Sequence, residues 1–321
     1  MVRVPKWLAR TWKPALAVII LVLVARHFLR ILARPELDPY PFSLRVPFLV
    51  PAAALYLGAH SIWAWFWVRL LRSQGVQVRF ADGLRAYFVS QFGKYIPGKA
   101  WVILIRVTML RGTPGGTPLV VGITATYETL TSMGAGAILG LLLLPWVGVV
   151  PPALSDNLAF VIAIAAMPLV LAALNALAAR RITKLRGPNA PPWPSPPLVL
   201  LVQGLLHGIV GWCLLGSALG FAIRAVAPEP PPPSLDAALA DLGAMALAYV
   251  SGFFVLVAPG GLGIREVILQ YALSPRFEPA LGSTLAAALA VVVSLVLRLV
   301  WTVAELAAVG LFLWKRKPTP S

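Results

Sequence analysis

The chain has 321 residues, of which 59% are hydrophobic and only 12% charged, and its mean hydropathy is +0.84. Soluble domains carry roughly half apolar and a quarter charged residues, so a water-soluble fold is excluded. The net charge of +16 sits in short loops between apolar stretches, which fits membrane topology and anionic lipid headgroups better than a nucleic-acid partner.

Crossing the hydrocarbon core of a bilayer takes about 20 apolar residues. Six stretches satisfy this: Ala15 to Ala33, Val46 to Val68, Pro118 to Val147, Leu158 to Ala179, Leu198 to Val226, and Ala280 to Trp314. The first has a basic front end but no small-residue cleavage site, so it reads as a retained helix. Two more apolar segments, Ala86 to Leu110 and Ala237 to Leu273, are cut near their middles at Pro97-Gly98 and Pro259-Gly260. A proline inside a helix removes a backbone donor and clashes with the preceding turn, so neither segment is expected to be one continuous helix. The predicted fold is all-α integral membrane, with about six transmembrane helices plus two re-entrant or broken helices. No polar stretch approaches the roughly 50 residues of a separate domain, so residues 1–321 read as one transmembrane domain.

Short cytoplasmic loops are enriched in Lys and Arg. Four basic clusters precede the first span, follow the second and the fourth, and end the chain: Arg3 to Lys13, Arg69 to Arg85, Arg180 to Arg186, and Lys315 to Lys317. All four lie on one side if the first broken segment dips in from the cytoplasm and the second from outside. The expectation is a multi-pass protein of the inner (cytoplasmic) cell membrane with both termini cytoplasmic. Trp63, Trp65, Trp67, Trp146, Trp193 and Trp314 fall near predicted span ends and read as interfacial anchors.

When Pro97 is laid on Pro259, Tyr87 matches Tyr249, Phe92 matches Phe254, and the two Pro-Gly pairs coincide. Each broken segment also lies between two spans, so residues 46–147 and 198–314 are candidate inverted repeats. Paired interrupted segments in opposed halves point to a transporter with its site near the midplane.

The residues with chemistry cluster at these breaks. Lys94, Lys99 and Arg106 surround the first, and the helix start after Gly98 exposes unpaired amides and partial positive charge, which together would receive an anion. The second break reads Pro259-Gly260-Gly261-Leu262-Gly263-Ile264-Arg265-Glu266, a glycine-rich helix start carrying Arg265. Its glycines would also serve plain tight packing. Within the apolar segments, Glu128, Glu266, Glu305 and Arg298 are ionisable groups that must pair or line a cavity. Glu128 is the candidate partner of Arg106 or Arg265, while Arg298 and Glu305, seven residues apart on one helix, each need a partner elsewhere. His60 and His207 lack a second ligand at helical spacing, so no metal site or other cofactor is expected. Cys213, the single cysteine, reads as a small buried apolar side chain. No nucleophile elbow, HExxH helix or paired-carboxylate motif appears, so no catalytic residues are assigned.

At these two motifs, Gly93-Lys94-Tyr95-Ile96-Pro97-Gly98-Lys99-Ala100-Trp101 and Pro259 to Glu266, the sequence resembles the flippase-like transmembrane family named after the membrane part of lysyl-phosphatidylglycerol synthases. Glu128 falls where that family has an acidic residue between the motifs. The family often has Arg next, where this chain has Thr129. The resemblance implies the translocating half of such synthases without the soluble aminoacyl-transferring half, and hence a non-enzymatic protein. The expected function is a lipid flippase or transporter for an anionic phospholipid or lipid-linked phosphate substrate. The alternatives are a non-transporting accessory protein of lipid or envelope biosynthesis, a small-solute transporter, or an integral-membrane transferase.

Overall fold

In a computed structural model the residues described are 44–95, 100–148, 196–228, 230, 232–254, 261 and 263–314, together with 26, 162, 166, 170, 173, 176, 177 and 180. The expected spans Ala15 to Ala33 and Leu158 to Ala179 lie outside this set apart from those scattered positions. Ile96, Pro97, Gly98, Lys99, Pro259, Gly260 and Leu262 are also outside it.

Every described element is helical. A short 3-10 turn, Val46–Phe48, leads into α1, Leu49–Ser73. Then come α2, Phe80–Ser90, with a 3-10 extension over Gln91–Tyr95, and α3, Ala100–Met109. The next helix, α4, Pro118–Leu142, is followed by one turn, α5, Leu144–Val147. The last three are α6, Leu198–Val226, α7, Leu235–Phe254, and α8, Ile264–Trp314. Local chemistry sets several of these limits. Thr117 caps α4 by accepting from the Val120 N–H at 3.3 Å, with Pro118 in the first turn, where its missing donor costs nothing. Proline likewise flanks α6, at Pro197 and Pro228.

Among the described residues four helices are long and apolar enough to cross a membrane: Val46–Ser73, Leu198–Val226, Leu235–Phe253 and Ile264–Phe312. Two match expected spans. The third lies within the Ala237 to Leu273 segment, whose first half is thus long enough to cross unaided. That segment is not one continuous helix: Gly261 and Gly263 have φ of 71° and 88°, and α8 begins at Ile264, while Pro259 itself lies outside the described residues. The expected span Ala280 to Trp314 is the later arm of α8, which bends at Gly282, where φ is 73° and ψ is 162°. Helix α4 has 25 residues, but Glu128, Tyr127 and its threonines make it more polar than the four, and much of it is buried.

Contacts between loops fix which ends lie together. The Gln77 N–H donates to the Pro114 carbonyl at 3.0 Å, and Gly115 packs directly on Gly75. Helices α2 and α3 therefore form a hairpin that begins and ends beside the α1 terminus at Ser73. At the opposite end, Arg45 N–H donates to Ala225 O at 2.8 Å, joining the start of α1 to the end of α6. Trp146 Nε1 donates to Asp236 at 3.0 Å, and Arg276 donates to Asp241 at 2.5 Å. These bonds bring the end of α4, the start of α7 and the end of the first α8 arm together. Helix α7 and that arm thus make a second hairpin.

The helices pack through small residues, as expected where lipid gives no hydrophobic drive between them. A Cβ on Gly211 of α6 would lie 2.2 Å from Trp63 Nε1 of α1, and one on Gly136 of α4 would lie 2.5 Å from the Trp212 ring. This close approach buries Trp63, while Trp67 is buried against Thr124, Arg106 and Tyr87; both are core residues and not the interfacial anchors expected from their place near a span end. Trp65 and Trp146 are exposed, as anchors should be. Trp193 and the Trp314 side chain lie outside the described residues. Cys213 is exposed on α6, contrary to the buried reading, because the buried face of α6 runs through Gly208, Trp212 and Leu215.

Candidate functional site

The two hairpins bring their polar residues into the middle of the bundle. On the first, Arg106 of α3 is 1% exposed, and its Nη1 donates to Glu128 Oε2 at 2.9 Å. Its Nε donates to Ser90 at 3.2 Å, and the guanidinium carbon lies 4.3 Å from the Tyr87 ring centroid and 4.5 Å from that of Trp67. The Tyr87 hydroxyl donates to the other carboxylate oxygen at 3.3 Å. Burying two charges costs several kcal/mol each unless geometry and extra hydrogen bonds offset it. Here the α2 and α3 donors and two aromatic faces supply those bonds. Glu128 is therefore matched to Arg106 of the two partners considered, although the next residue is Thr129.

Around Glu305 of α8 lies a second centre. Its carboxylate, 1% exposed, accepts from Lys94 Nζ, from the Tyr56 hydroxyl, and from the Tyr95 hydroxyl at 3.0 Å. Tyr56 also stacks on Trp301 at 4.8 Å and packs at a tilt against His60 at 4.2 Å. The last helix is thereby pinned to the 3-10 turn of the first broken segment.

At the second break, Glu266 turns back on its own helix. Its Oε2 accepts from the Gly263 N–H at 2.7 Å, while Oε1 accepts from Arg298. An acid in a first turn is favourable beside the helix dipole. One of the amides expected to receive an anion is thus already held by the chain's own carboxylate. Gly261, at φ 71°, lies against Gly252 of α7, where a Cβ would come within 3.0 Å of the Gly252 carbonyl oxygen. The glycine-rich motif serves close backbone approach here.

Arg265 differs from the other cations. Its guanidinium carbon lies 3.9 Å from the Tyr249 ring centroid and 5.5 Å from that of Trp301, and its buried Nε has no hydrogen-bond partner. Among the described residues it forms no ion pair. The central cluster therefore pairs Lys94, Arg106 and Arg298 with Glu305, Glu128 and Glu266, and Arg265 is a cation in excess of these pairs.

Of the expected anion-binding residues, Lys94, Arg106 and Arg265 enter this core, while Lys99 lies outside the described residues. The sequence reading missed Asp241 and Arg276, an ion pair joining α7 to the first α8 arm. An aspartate in an apolar helix was the available signal. It also missed Tyr56, Tyr249 and Trp301 as core partners. Among the described residues no three His, Cys, Asp or Glu side chains gather as metal ligands would.

The family model for the lysylphosphatidylglycerol synthase TM region matches residues 10–307. The chain belongs to that family. No curated protein matches it. Membership makes this a membrane protein linked to lipid or envelope biosynthesis or transport.

Proposed function

We propose that this member of the lysylphosphatidylglycerol synthase TM family is a flippase or transporter that moves an anionic phospholipid or lipid-linked phosphate substrate across the inner cell membrane, without enzymatic activity of its own. The observation that carries the reading is Arg265: beside a broken helix, its guanidinium lies against two aromatic faces, its buried Nε has no hydrogen-bond partner, and it forms no ion pair with a described residue, while Lys94, Arg106 and Arg298 are each paired. Such a group is expensive inside a membrane unless an anion completes it. Lys99, placed by sequence at the other break, would supply a second contact. The two hairpins, which begin at opposite ends of the bundle, support reading residues 46–147 and 198–314 as inverted repeats and the breaks as re-entrant. In such an arrangement the halves rock about a central site, and acyl chains remain in the bilayer while the headgroup crosses. With the basic loops cytoplasmic, both termini are cytoplasmic too.

The test is headgroup accessibility in proteoliposomes, comparing fluorescent phosphatidylglycerol on wild type with Lys99→Ala plus Arg265→Ala. Faster exchange with wild type that the double variant loses supports the proposal; equal rates in protein-free and wild-type vesicles contradict it. A second reading, an accessory protein that moves nothing, is favoured by one observation. Lys94 and Glu305 tie the first break to the last helix, so separating the halves would break this pair and leave the buried Glu305 carboxylate without its cation.

A further inference from the structure

A separate concavity of about 400 Å³ lies at the end of the bundle where the 74–79 and 110–117 loops meet, lined in part by Arg79, Asp82, Arg85, Arg111 and Thr113. That volume falls in the range of small-ligand sites, roughly 300–1,000 Å³. Its walls are braced. The Arg72 guanidinium donates twice to the Val78 carbonyl, at 3.1 and 3.0 Å, and Gln77 N–H donates to Pro114 O at 3.0 Å. The Gly115 and Gly75 backbones are in direct contact. The concavity is therefore formed before any ligand arrives.

Its charge is unbalanced. Three guanidiniums face one carboxylate in the lining, and none of the three is ion-paired with a described residue. Arg85 is half-buried, and its Nε is closed off from solvent without a hydrogen-bond partner. Like charges gathered in one concavity repel, and a buried unsatisfied donor costs free energy that a suitable acceptor would recover. Planar guanidinium forks match the oxygens of phosphate bidentately.

We propose that this concavity is a phosphate-binding site, distinct from the central cluster, in which Arg79, Arg85 and Arg111 hold a phosphate monoester or free phosphate. Lipid headgroups at the membrane surface and soluble phosphates share this chemistry. The site stands without the transport proposal, since it requires only binding at the loops.

The experiment titrates full-length protein in neutral detergent, by calorimetry, with inorganic phosphate and separately with dihexanoyl phosphatidic acid, at constant ionic strength set with chloride. Saturable binding of either probe is expected. It should weaken about tenfold or more in Arg79→Gln plus Arg111→Gln, through loss of charge-assisted bonds. Both residues are exposed, so the variant should fold, and an unchanged melting temperature without ligand checks this. Arg85→Lys, which keeps the charge but loses the fork, should weaken binding as well. Tight binding of phosphatidic acid with weak phosphate binding assigns the site to lipid, and the reverse assigns it to a solute. No saturable binding of either probe, or binding unchanged in the Arg79 and Arg111 variant, overturns the proposal.

Discussion

Replacing Glu128 by Gln removes one charge and almost no volume. If the Arg106–Glu128 contact is a true ion pair, the variant strands a guanidinium that is 1% exposed between Trp67 and Tyr87. Breaking a buried pair on one side costs about 3–5 kcal/mol, whereas replacing both partners by apolar groups of similar volume is often neutral or stabilising. Gln can still accept from Arg106 and Tyr87, which places the expected cost near the lower figure, about 3 kcal/mol. Arg106→Met keeps much of the packing between the two rings and leaves Glu128 with the Tyr87 and Thr129 hydroxyls, so it should cost a similar amount. Arg106→Met plus Glu128→Met should lie within about 1 kcal/mol of wild type, and set against Arg106→Met and Glu128→Met alone it should show a coupling of several kcal/mol in a double-mutant cycle. Reversible unfolding in mixed micelles, followed by tryptophan fluorescence, measures wild type and each of these variants. Single costs that add in the double variant would refute the pair. A Glu128→Gln cost under about 1 kcal/mol would instead mean the carboxyl is already neutral in the bundle.

Other consequences follow from the same contacts. Glu305→Leu leaves Lys94, Tyr56 and Tyr95 all without their acceptor and should destabilise by about 3 kcal/mol or more. Lys94→Met leaves the carboxylate two tyrosine donors and should cost less, about 1–2 kcal/mol; the same unfolding assay orders them, and equal costs would deny Glu305 its central role. Gly211→Ala puts a Cβ 2.2 Å from Trp63 Nε1, an overpacking expected to cost about 1–3 kcal/mol, detectable as a lower melting temperature, whereas Gly310→Ala, with open space around it, should not destabilise. With Cys213→Ser as background, cysteines at Ser73 and Pro114 should react with a membrane-impermeant maleimide from the cytoplasmic side, and one at Leu235 only from the other side. Labelling of Ser73→Cys and Pro114→Cys from opposite sides would contradict the first hairpin.

The two Pro-Gly pairs lie outside the described residues, but beside them the chain departs from α-helix, in the 3-10 turn Gln91–Tyr95 and at Gly261 and Gly263, and such a departure was legible because proline's missing donor and ring clash act locally. The sequence also made the ionisable core legible, since a carboxylate or guanidinium in an apolar run must find a partner. Glu128 with Arg106, and a partner on another segment for Glu305, follow from that rule, whereas the Glu266 that pairs with Arg298 lies on the earlier arm of the same helix α8 and not on another helix. The sequence reading ended one apolar segment at Leu273 and began the next at Ala280, yet Ser274 to Leu281 stays helical and the bend comes at Gly282, whose positive φ leaves no trace in hydropathy. Trp63 and Trp67 were misplaced because distance from a span end does not say which face of α1 is covered. Trp63 is met by Gly211 of α6, and Trp67 by Thr124, Arg106 and Tyr87 on other helices. The local pairing of Glu266 with the Gly263 amide was equally hidden, since a reach of three residues back is one of several rotamers open to a glutamate.

The central claim is that an excess cation at the second break receives an anionic headgroup. The most direct measurement compares wild-type proteoliposomes carrying headgroup-labelled phosphatidylglycerol with the same vesicles carrying a labelled uncharged lipid, following reagent access to the inner-leaflet label over time. The account predicts protein-dependent exchange of the anionic lipid that clearly exceeds that of the uncharged one. Equal acceleration of both lipids, or of neither, would contradict it.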